Sequence, residues 1–345
     1  MTHTLVVRLD NEGDVLLMGP AIRAVAAKAD RVTMLCGPRG RAAAALLPGV
    51  DGIEVYRAPW IDPEPNPVDP SDIEHLVHRL KRLHVEEAIV FTSFHQSPLP
   101  LGLLLRLAGV GRVAAISPEY PGSLLDVRHQ VPDDVHEVER ALSLVETLGY
   151  ELPADDDRRL QIGRTPGRRP DVGDEPYVAV HPGASVRARA WAPELFRELV
   201  DALVERGRRV VVTGGAHETC LTAAVAGPAR PDVVDAGGAT DLAGLSELIA
   251  RADCLVVGNT GPAHVAAAVG TPVVSLYAPT VPAVRWRPWG VPHVLLGDQD
   301  IPCAGCRARV CPYEGHPCLG AVPVEDVADA VDLLAPAPLM EEVAR

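Results

Sequence analysis

The sequence predicts an α/β protein built from two doubly wound, Rossmann-like domains in tandem. Short runs of β-branched residues alternate with Ala- and Leu-rich helical patterns, and this series occurs twice along the chain, as parallel sheets with crossover helices require. The 345 residues exceed what one hydrophobic core usually serves, and 47% of them are hydrophobic. A polar stretch rich in Asp, Arg, Pro and Gly separates the two series. We therefore predict a domain at 1–162, a linker at 163–176 and a second domain at 177–345.

Each predicted element follows from the spacing of its apolar residues. In the first domain we predict strands at 5–9, 32–35, 53–55, 87–91 and 113–116, and helices at 15–27, 42–47, 71–83, 99–107 and 134–148. In the second we predict strands at 177–181, 209–213, 233–236, 255–257 and one ending at 277, and helices at 193–205, 218–225, 242–251, 265–269 and 325–334. Two such domains are expected to face one another across a cleft, where their strand ends bind ligands.

Charge and targeting signals restrict the function. The formal net charge is −14 and no basic run is present, which argues against nucleic acid as a partner. The N-terminus enters a strand at once without the features of a signal peptide, and no apolar run approaches the roughly 18 residues of a membrane span. We expect a cytoplasmic protein whose seven cysteines are thiols or metal ligands, since a disulfide framework is rare in that compartment.

Polar residues follow the first predicted strand. Asp10, Asn11 and Asp14 fall between this strand and the first helix. Asp14 either caps that helix or, beside a bound ligand, accepts a proton from an incoming hydroxyl group. The local sequence leaves both roles open.

Two loops of the second domain carry charged residues at strand ends. The segment HPGASVRARAW places Arg187 and Arg189 just before a helix. These arginines either reach a diphosphate or remain a solvated pair. The segment TGGAHE ends at Glu218, which either binds ribose hydroxyls or favours the helix N-terminus.

The run GNTGPAH predicts an anion site. Asn259 stands where a helix would have its cap, and Thr260 and Gly261 follow it. A helix that begins just past a strand exposes unpaired N–H groups and the positive end of its dipole, and Gly261 lets a phosphate approach the backbone. A tight turn without a ligand is the alternative. His264, inside the helix, faces either the ligand or the core.

A cysteine-rich loop lies at 303–318. The segment CAGCRARVCPYEGHPC contains Cys303, Cys306, Cys311 and Cys318 together with His316. The count suits structural zinc or an iron–sulfur cluster, although the spacing of the later cysteines is not that of a common zinc finger. Reduced or disulfide-paired thiols are the alternative reading.

Taken together, these loops resemble glycosyltransferase family 9, the heptosyltransferase-like enzymes. The matching segments, in chain order, are RLDNEGDVLLMGPAIRAV, FTSFHQSPLPLGLLLRLAGV, VHPGASVRARAWAPELFRELV, VVTGGAHE and GNTGPAHVAAAVGTPVVSLY. The resemblance implies a GT-B architecture, with the nucleotide-sugar donor bound mainly by the C-terminal domain and the acceptor mainly by the N-terminal one. It also implies inverting transfer that needs no metal or other cofactor.

The resemblance assigns roles to these residues. Asp14 would be the base, with Asp10, Asn11, Ser93 and Gln96 on the acceptor side. The donor side is expected to comprise Arg187, Arg189, Glu218, Asn259, Thr260, Gly261 and His264. In this set Arg189 and the N–H groups of the turn stabilise the departing diphosphate, and Glu218 binds the ribose.

The implied substrates are an ADP-linked heptose or related hexose and a hydroxyl of a glycan, lipid-linked or small glycoside acceptor. An envelope glycan as acceptor would bring the protein to the inner membrane face as a peripheral partner. Many heptosyltransferases carry Asp directly before TGP, where this chain has Asn259, so the donor sugar stays open. A GT-B-shaped sugar-nucleotide epimerase and a non-catalytic member that binds nucleotide or metal are the alternative functions.

Overall fold

A computed structural model of the chain describes residues 2–336, so positions 337–345 of the predicted second domain lie outside the described residues. The chain divides between Arg164 and Thr165 into two units. Each unit contains one six-stranded sheet with its neighbouring strands parallel, and helices connect the strands. The predicted α/β class and the two doubly wound domains are confirmed.

The first unit has the strand order β3-β2-β1-β4-β5-β6. Its strands are β1 (His3–Arg8), β2 (Arg31–Cys36), β3 (Gly52–Val55), β4 (Glu87–Val90), β5 (Arg112–Ile116) and β6 (Val127–His129). Its helices are α1 (Glu12–Leu17), α2 (Gly19–Ala26), α3 (Arg41–Leu46), α4 (Pro70–Leu83), α5 (Leu99–Leu107) and α6 (Glu137–Glu146).

The second unit repeats this topology with the order β12-β11-β10-β7-β8-β9. Its strands are β7 (Val178–His181), β8 (Val210–Val212), β9 (Val233–Asp235), β10 (Cys254–Gly258), β11 (Val273–Leu276) and β12 (His293–Leu296). Its helices are α7 (Pro193–Glu205), α8 (Thr219–Ala226), α9 (Leu242–Arg251), α10 (Gly261–Val269), α11 (Ala283–Trp286), α12 (Pro317–Gly320) and α13 (Val324–Leu334).

The strand order of each sheet defines where a ligand can bind. Successive strands extend in opposite directions from a central pair, which is β1 and β4 in the first unit and β7 and β10 in the second. Crossover helices that leave these two strands lie on opposite faces, so a crevice opens beyond the carboxyl ends of the pair. The loops that follow these four strands are therefore the segments to examine for a site.

Buried apolar strands hold each sheet between its helices. Leu5 and Val7 of β1 are fully buried, as are Val178 and Val180 of β7. Apolar residues at these parallel central strands match burial on both faces of the sheet. The rings of Trp191 and Phe196 meet edge to face with centroids 5.1 Å apart. This core fixes the chain directly before α7.

Several predicted boundaries are wrong. The helix predicted at 15–27 is two helices, α1 and α2, because Pro20 lacks an N–H and is tolerated only in the first turn of a new helix. Helix α10 begins at Gly261, four residues before the predicted start. The helix predicted at 134–148 is shorter at both ends. The short edge strands β6 and β12 were not predicted.

Candidate active site

The carboxyl end of β1 carries a buried charge cluster around Arg8. This residue is 0% exposed, and its guanidinium contacts three carboxylates: Asp10 at 2.8 Å, Asp14 at 3.0 Å and Glu137 at 3.1 Å. Arg8 also donates to Ser93 Oγ at 2.8 Å. Burial by itself would lower the pKa of Arg8, but the carboxylates outweigh it and raise that pKa. A buried cation is stable here because three carboxylates and the Ser93 hydroxyl surround it.

Asp14 is the member of this cluster that reaches solvent. Its side chain is 19% exposed, compared with 8% for Asp10 and 1% for Glu137. Burial is the main reason that the pKa of Asp14 is raised to about 6, Arg8 opposes this, and Asp10 and Glu137 add to it. Such a carboxylate is ionised at neutral pH and still basic enough to take a proton.

Asp14 is not the N-cap residue of the first helix, although it takes part in capping that helix. The N-cap of α1 is Asn11, an exposed residue whose side chain makes no capping bond, and Asp14 lies in the first turn. The Asn11 N–H donates back to the Asp14 carboxylate, as a first-turn acidic residue does in a capping box. Helix α1 thereby fixes the orientation of Asp14.

Ser93 and Gln96 approach the same cluster from the segment after β4. Gln96 donates to Asp10 Oδ1 at 2.5 Å, and Ser93 donates to Asp10 Oδ2 at 3.2 Å. The Ser93 N–H in turn donates to the Gln96 side-chain oxygen at 3.0 Å. The structure thus brings together four of the residues predicted on this side, namely Asp10, Asp14, Ser93 and Gln96.

Three residues of this cluster were not predicted as site residues. Arg8 precedes the polar loop and ends a buried strand, where a fully buried arginine is rare. Glu137 and Arg140 lie on α6, and Arg140 Nη1 is 3.3 Å from Glu137 Oε1. Their signal in the sequence is weak, because one charged residue per helical turn is usual for a solvated helix face.

In the second unit, the loop after β7 packs tightly against Glu218. A Cβ atom at Gly183 would lie 2.2 Å from Glu218 Oε1, so a larger residue at this position would displace the carboxylate. Glu218 accepts the Gly215 N–H at 2.7 Å. The His181 imidazole lies 4.0 Å away, and its pKa is lowered by burial although Glu218 opposes the shift. Glu218 follows β8 and is held by backbone, and its contact with Gly183 brings it beside the loop after β7.

The two predicted arginines of this unit differ in their surroundings. Both lie in a single 3-10 turn, Arg187–Arg189. Arg187 is exposed, whereas Arg189 is half-buried and donates from Nε to Thr280 Oγ1 at 3.2 Å. The Arg189 carbonyl is 3.0 Å from the position of a Cβ at Gly258, so the turn lies against the end of β10.

The turn after β10 differs from its prediction in one respect. The N-cap of α10 is Thr260, so Asn259 is not the cap. Asn259 is 8% exposed and donates to the Ala278 carbonyl at 3.3 Å, which turns its amide away from the helix. Within residues 2–336, Asn259 Oδ1 and Thr260 Oγ1 are buried without a hydrogen-bond partner. Unsatisfied buried oxygens beside a helix N-terminus are typical of a ligand site.

His264 is buried on α10, one turn beyond that N-terminus. It is 7% exposed, so most of its imidazole packs within the second unit. The first turn of α10 carries no acidic residue and begins with Gly261 and Pro262. The N-terminus of this helix therefore keeps its positive dipole uncompensated by local charge.

The cysteine-rich loop is attached to the arginine turn. Ala188 N–H donates to the Arg309 carbonyl at 3.0 Å, and His316 donates from Nε2 to the Ala188 carbonyl at 3.1 Å. Among residues 2–336 no group of three or more His, Cys, Asp or Glu side chains has the arrangement of a metal site. The predicted ligand set is therefore not assembled in this structure.

The thiols of that loop are nevertheless near one another. Cys318 is buried, and burial raises its pKa to about 11, with smaller contributions in the same direction from Cys311, Cys303 and Cys306. All seven cysteines are free.

The fold defines a class of protein with two doubly wound domains of order 3-2-1-4-5-6, as in GT-B proteins. The chain belongs to glycosyltransferase family 9 (heptosyltransferase), because the model of that family matches residues 107–316. Lipopolysaccharide heptosyltransferase 3 of Escherichia coli is 33% identical over 166 residues, 46% of this chain and 47% of that protein. Lipopolysaccharide heptosyltransferase 1 of Pseudomonas aeruginosa is 31% identical over 187 residues, which are 52% of this chain and 49% of that protein. The chain spans about half the length of these relatives.

Solved structures show the same fold along almost the whole chain. A family 9 glycosyltransferase from Veillonella parvula superposes with a TM-score of 0.74 at 17% identity, covering 97% of each chain. The E. coli ADP-heptose lipopolysaccharide heptosyltransferase II superposes with a TM-score of 0.72 at 19% identity, covering 97% of this chain and 98% of that one. An iron-containing dodecameric glycosyltransferase, TibC of enterotoxigenic E. coli, superposes with a TM-score of 0.54 at 16% identity, covering 96% of this chain and 76% of that one. At these identities the superpositions establish the architecture.

Proposed function

We propose that the protein is an inverting glycosyltransferase that moves a heptose or related hexose from an ADP-linked donor to a hydroxyl of a glycan acceptor. The observation that carries this proposal is the Asp14 carboxylate, which is oriented by Arg8, partly open to solvent and raised in pKa to about 6. Family membership supports the reaction class, and the relatives named as lipopolysaccharide heptosyltransferases support the sugar and the acceptor.

In the proposed reaction Asp14 is the general base. Its carboxylate takes the proton of the acceptor hydroxyl while the hydroxyl oxygen attacks the anomeric carbon of the donor sugar. The bond from that carbon to the diphosphate oxygen breaks in the same step, so the configuration at the anomeric carbon inverts. Asp10, Asn11, Ser93 and Gln96 form the acceptor side, since Asp10, Ser93 and Gln96 bond to one another beside the base.

The donor is proposed to lie at the turn after β10. The diphosphate leaves with added negative charge, which Arg189 and the Gly261 N–H stabilise without a metal. The Thr260 N–H, to which the resemblance assigned the same role, donates instead to the Gly258 carbonyl at 2.8 Å. The unsatisfied Asn259 oxygen accepts from a sugar hydroxyl. Glu218, fixed beside Gly183, binds the ribose. The proposed donor side also includes Arg187, whose guanidinium is exposed, and His264, whose imidazole is buried.

The acceptor is proposed to be an envelope glycan, either lipid-linked or a small glycoside. A lipid-linked acceptor would bring the cytoplasmic protein to the face of the inner membrane. No helix among the described residues is both long and apolar enough to cross a membrane. Cosedimentation of the intact protein with vesicles that carry a glycolipid acceptor, compared with matched vesicles that lack it, tests whether the acceptor brings the protein to a membrane.

Release of ADP from ADP-heptose, measured with and without a glycan acceptor, tests the reaction. Acceptor-dependent release with a β-to-α or α-to-β change at the anomeric carbon supports inverting transfer. Conversion of the donor to another sugar nucleotide without an acceptor would instead identify an epimerase. Tight donor binding with neither reaction would identify a non-catalytic family member. Turnover that persists in EDTA supports the proposed metal independence.

A further inference from the structure

The guanidinium of Arg8 is divided among its neighbours. Nε lies 2.8 Å from Asp10, Nη1 donates to Glu137 at 3.1 Å, and Nη2 donates to Asp14 at 3.0 Å and to Ser93 at 2.8 Å. A planar guanidinium can hold one carboxylate through two parallel bonds. In this cluster no carboxylate receives that bidentate pairing, because a different group occupies each edge of Arg8.

Helix α6 fixes Glu137 for this arrangement. The Glu137 side chain is 1% exposed, and Arg140 Nη1 lies 3.3 Å from its second oxygen. Arg140 also donates to the Thr92 carbonyl, which ties it to the end of β4. The nearby His129 on β6 interacts electrostatically with Arg140. Glu137 is thus held between two arginines and cannot turn away from Arg8.

The charges of the cluster do not balance. Asp10, Asp14 and Glu137 supply three carboxylates, and Arg8 and Arg140 supply two guanidiniums. One negative charge is therefore in excess when all five groups are ionised. Like charges in a buried site disfavour one another, so each carboxylate raises the pKa of its neighbours. Asp10 and Glu137 act in this direction on Asp14, whose side chain at 19% exposure is the one open to solvent.

We propose that Glu137 is a positioning residue for Asp14: its buried negative charge lies on one edge of Arg8, shares the positive charge of Arg8 with Asp14, and so leaves the Asp14 carboxylate able to accept a proton. This inference rests on the proposed role of Asp14 as the base. Without the Glu137 charge, Arg8 would neutralise Asp14 more completely. Asp14 would then be a weaker base in the same position.

The substitution Glu137→Gln tests this, because the amide has the same size and still accepts from Arg8 while the charge is lost. The matched control is Glu139→Gln on the same helix, where the side chain is exposed. The titration of the Asp14 carboxyl carbon is followed by NMR in the full-length protein labelled with ¹³C at aspartate Cγ, and Asp14→Asn assigns the signal. We expect the Asp14 midpoint to fall by about 1 pH unit in Glu137→Gln and to stay unchanged in Glu139→Gln.

Glu137→Asp retains the charge and should retain the wild-type midpoint. In the transfer assay, the acidic limb of the kcat/KM profile should move with the NMR midpoint in Glu137→Gln. An unchanged Asp14 midpoint in Glu137→Gln would overturn the inference, as would equal shifts in Glu137→Gln and Glu137→Asp. A shifted midpoint in a protein without transferase activity would support the charge coupling and reject the proposed function, so the two failures are distinguishable.

Discussion

Replacing Asp14 by Asn should separate activity from stability. The amide occupies the same space and still accepts a bond from Arg8, but it cannot take a proton. A positioned general base typically contributes about 10²- to 10⁴-fold to the rate, which corresponds to about 3–5 kcal/mol of activation free energy. We expect kcat for acceptor-dependent ADP release to fall by at least about 100-fold, with the KM for the donor nearly unchanged.

The same substitution should not destabilise the fold at neutral pH. The pKa of Asp14 rises from 3.8 to about 6 on folding, mainly through burial, so the folded protein binds an extra proton between these two values. Stability contributed by this carboxyl therefore decreases as the pH rises through that window. Above it, ionised Asp14 costs on the order of 3 kcal/mol, which Asn does not incur.

Thermal unfolding at pH 8 and pH 4 measures this effect. Asp14→Asn should match or exceed the wild-type Tm at pH 8, and the advantage should disappear at pH 4. The control is Asp134→Asn, which removes an exposed carboxylate of the same unit and should change neither activity nor Tm. A variant that retains more than about a tenth of wild-type kcat would refute the assignment of the base.

Three further predictions concern pH, donor binding and metal. The wild-type kcat/KM should fall about tenfold from pH 7 to pH 5. A carboxyl group of pKa about 6, such as Asp14, is about 90% ionised at pH 7 and about 9% ionised at pH 5. A kcat/KM that does not change between these pH values would contradict the role of Asp14. Gly183→Ala places a Cβ 2.2 Å from Glu218 and should weaken ADP binding by calorimetry, whereas Gly102→Ala, with 3.6 Å to its nearest atoms, should not. If transfer needs no metal, EDTA should leave turnover unchanged. If the cysteine-rich loop is a metal site, metal analysis should find about one zinc or iron ion per chain, lost in Cys306→Ser together with thermal stability; a metal-free preparation of equal stability would show that these cysteines are thiols without a structural metal.

The strand and helix series could be predicted because it depends on local patterns. Apolar runs such as Val178–His181 are buried in a parallel sheet and read as strands by themselves. The edge strands Val127–His129 and His293–Leu296 have three and four residues, each includes a histidine, and their residues are at most partly buried. Such strands are defined by hydrogen bonds to a neighbour, and the sequence carries little trace of those bonds.

The site residues divide in the same way. Asp10 and Asp14 follow a strand in a contiguous polar loop, so their place at the strand end follows from the local sequence. Glu137 meets Arg8 across 129 residues, and nothing in the pattern of α6 distinguishes it from a solvated glutamate. Asn259 illustrates the opposite error, because its identity suited a helix cap while the backbone placed Thr260 there. Contacts between distant segments and one-residue shifts required the structure.

The measurement that tests the central claim most directly is ADP release by the purified protein from ADP-heptose, with and without a lipopolysaccharide-type glycan acceptor, in wild type and Asp14→Asn. We expect release that depends on the acceptor, a glycosylated acceptor of inverted anomeric configuration, and loss of both products in the variant. Equal release without the acceptor, or a product of retained configuration, would contradict the proposal that Asp14 activates an acceptor hydroxyl in a single displacement.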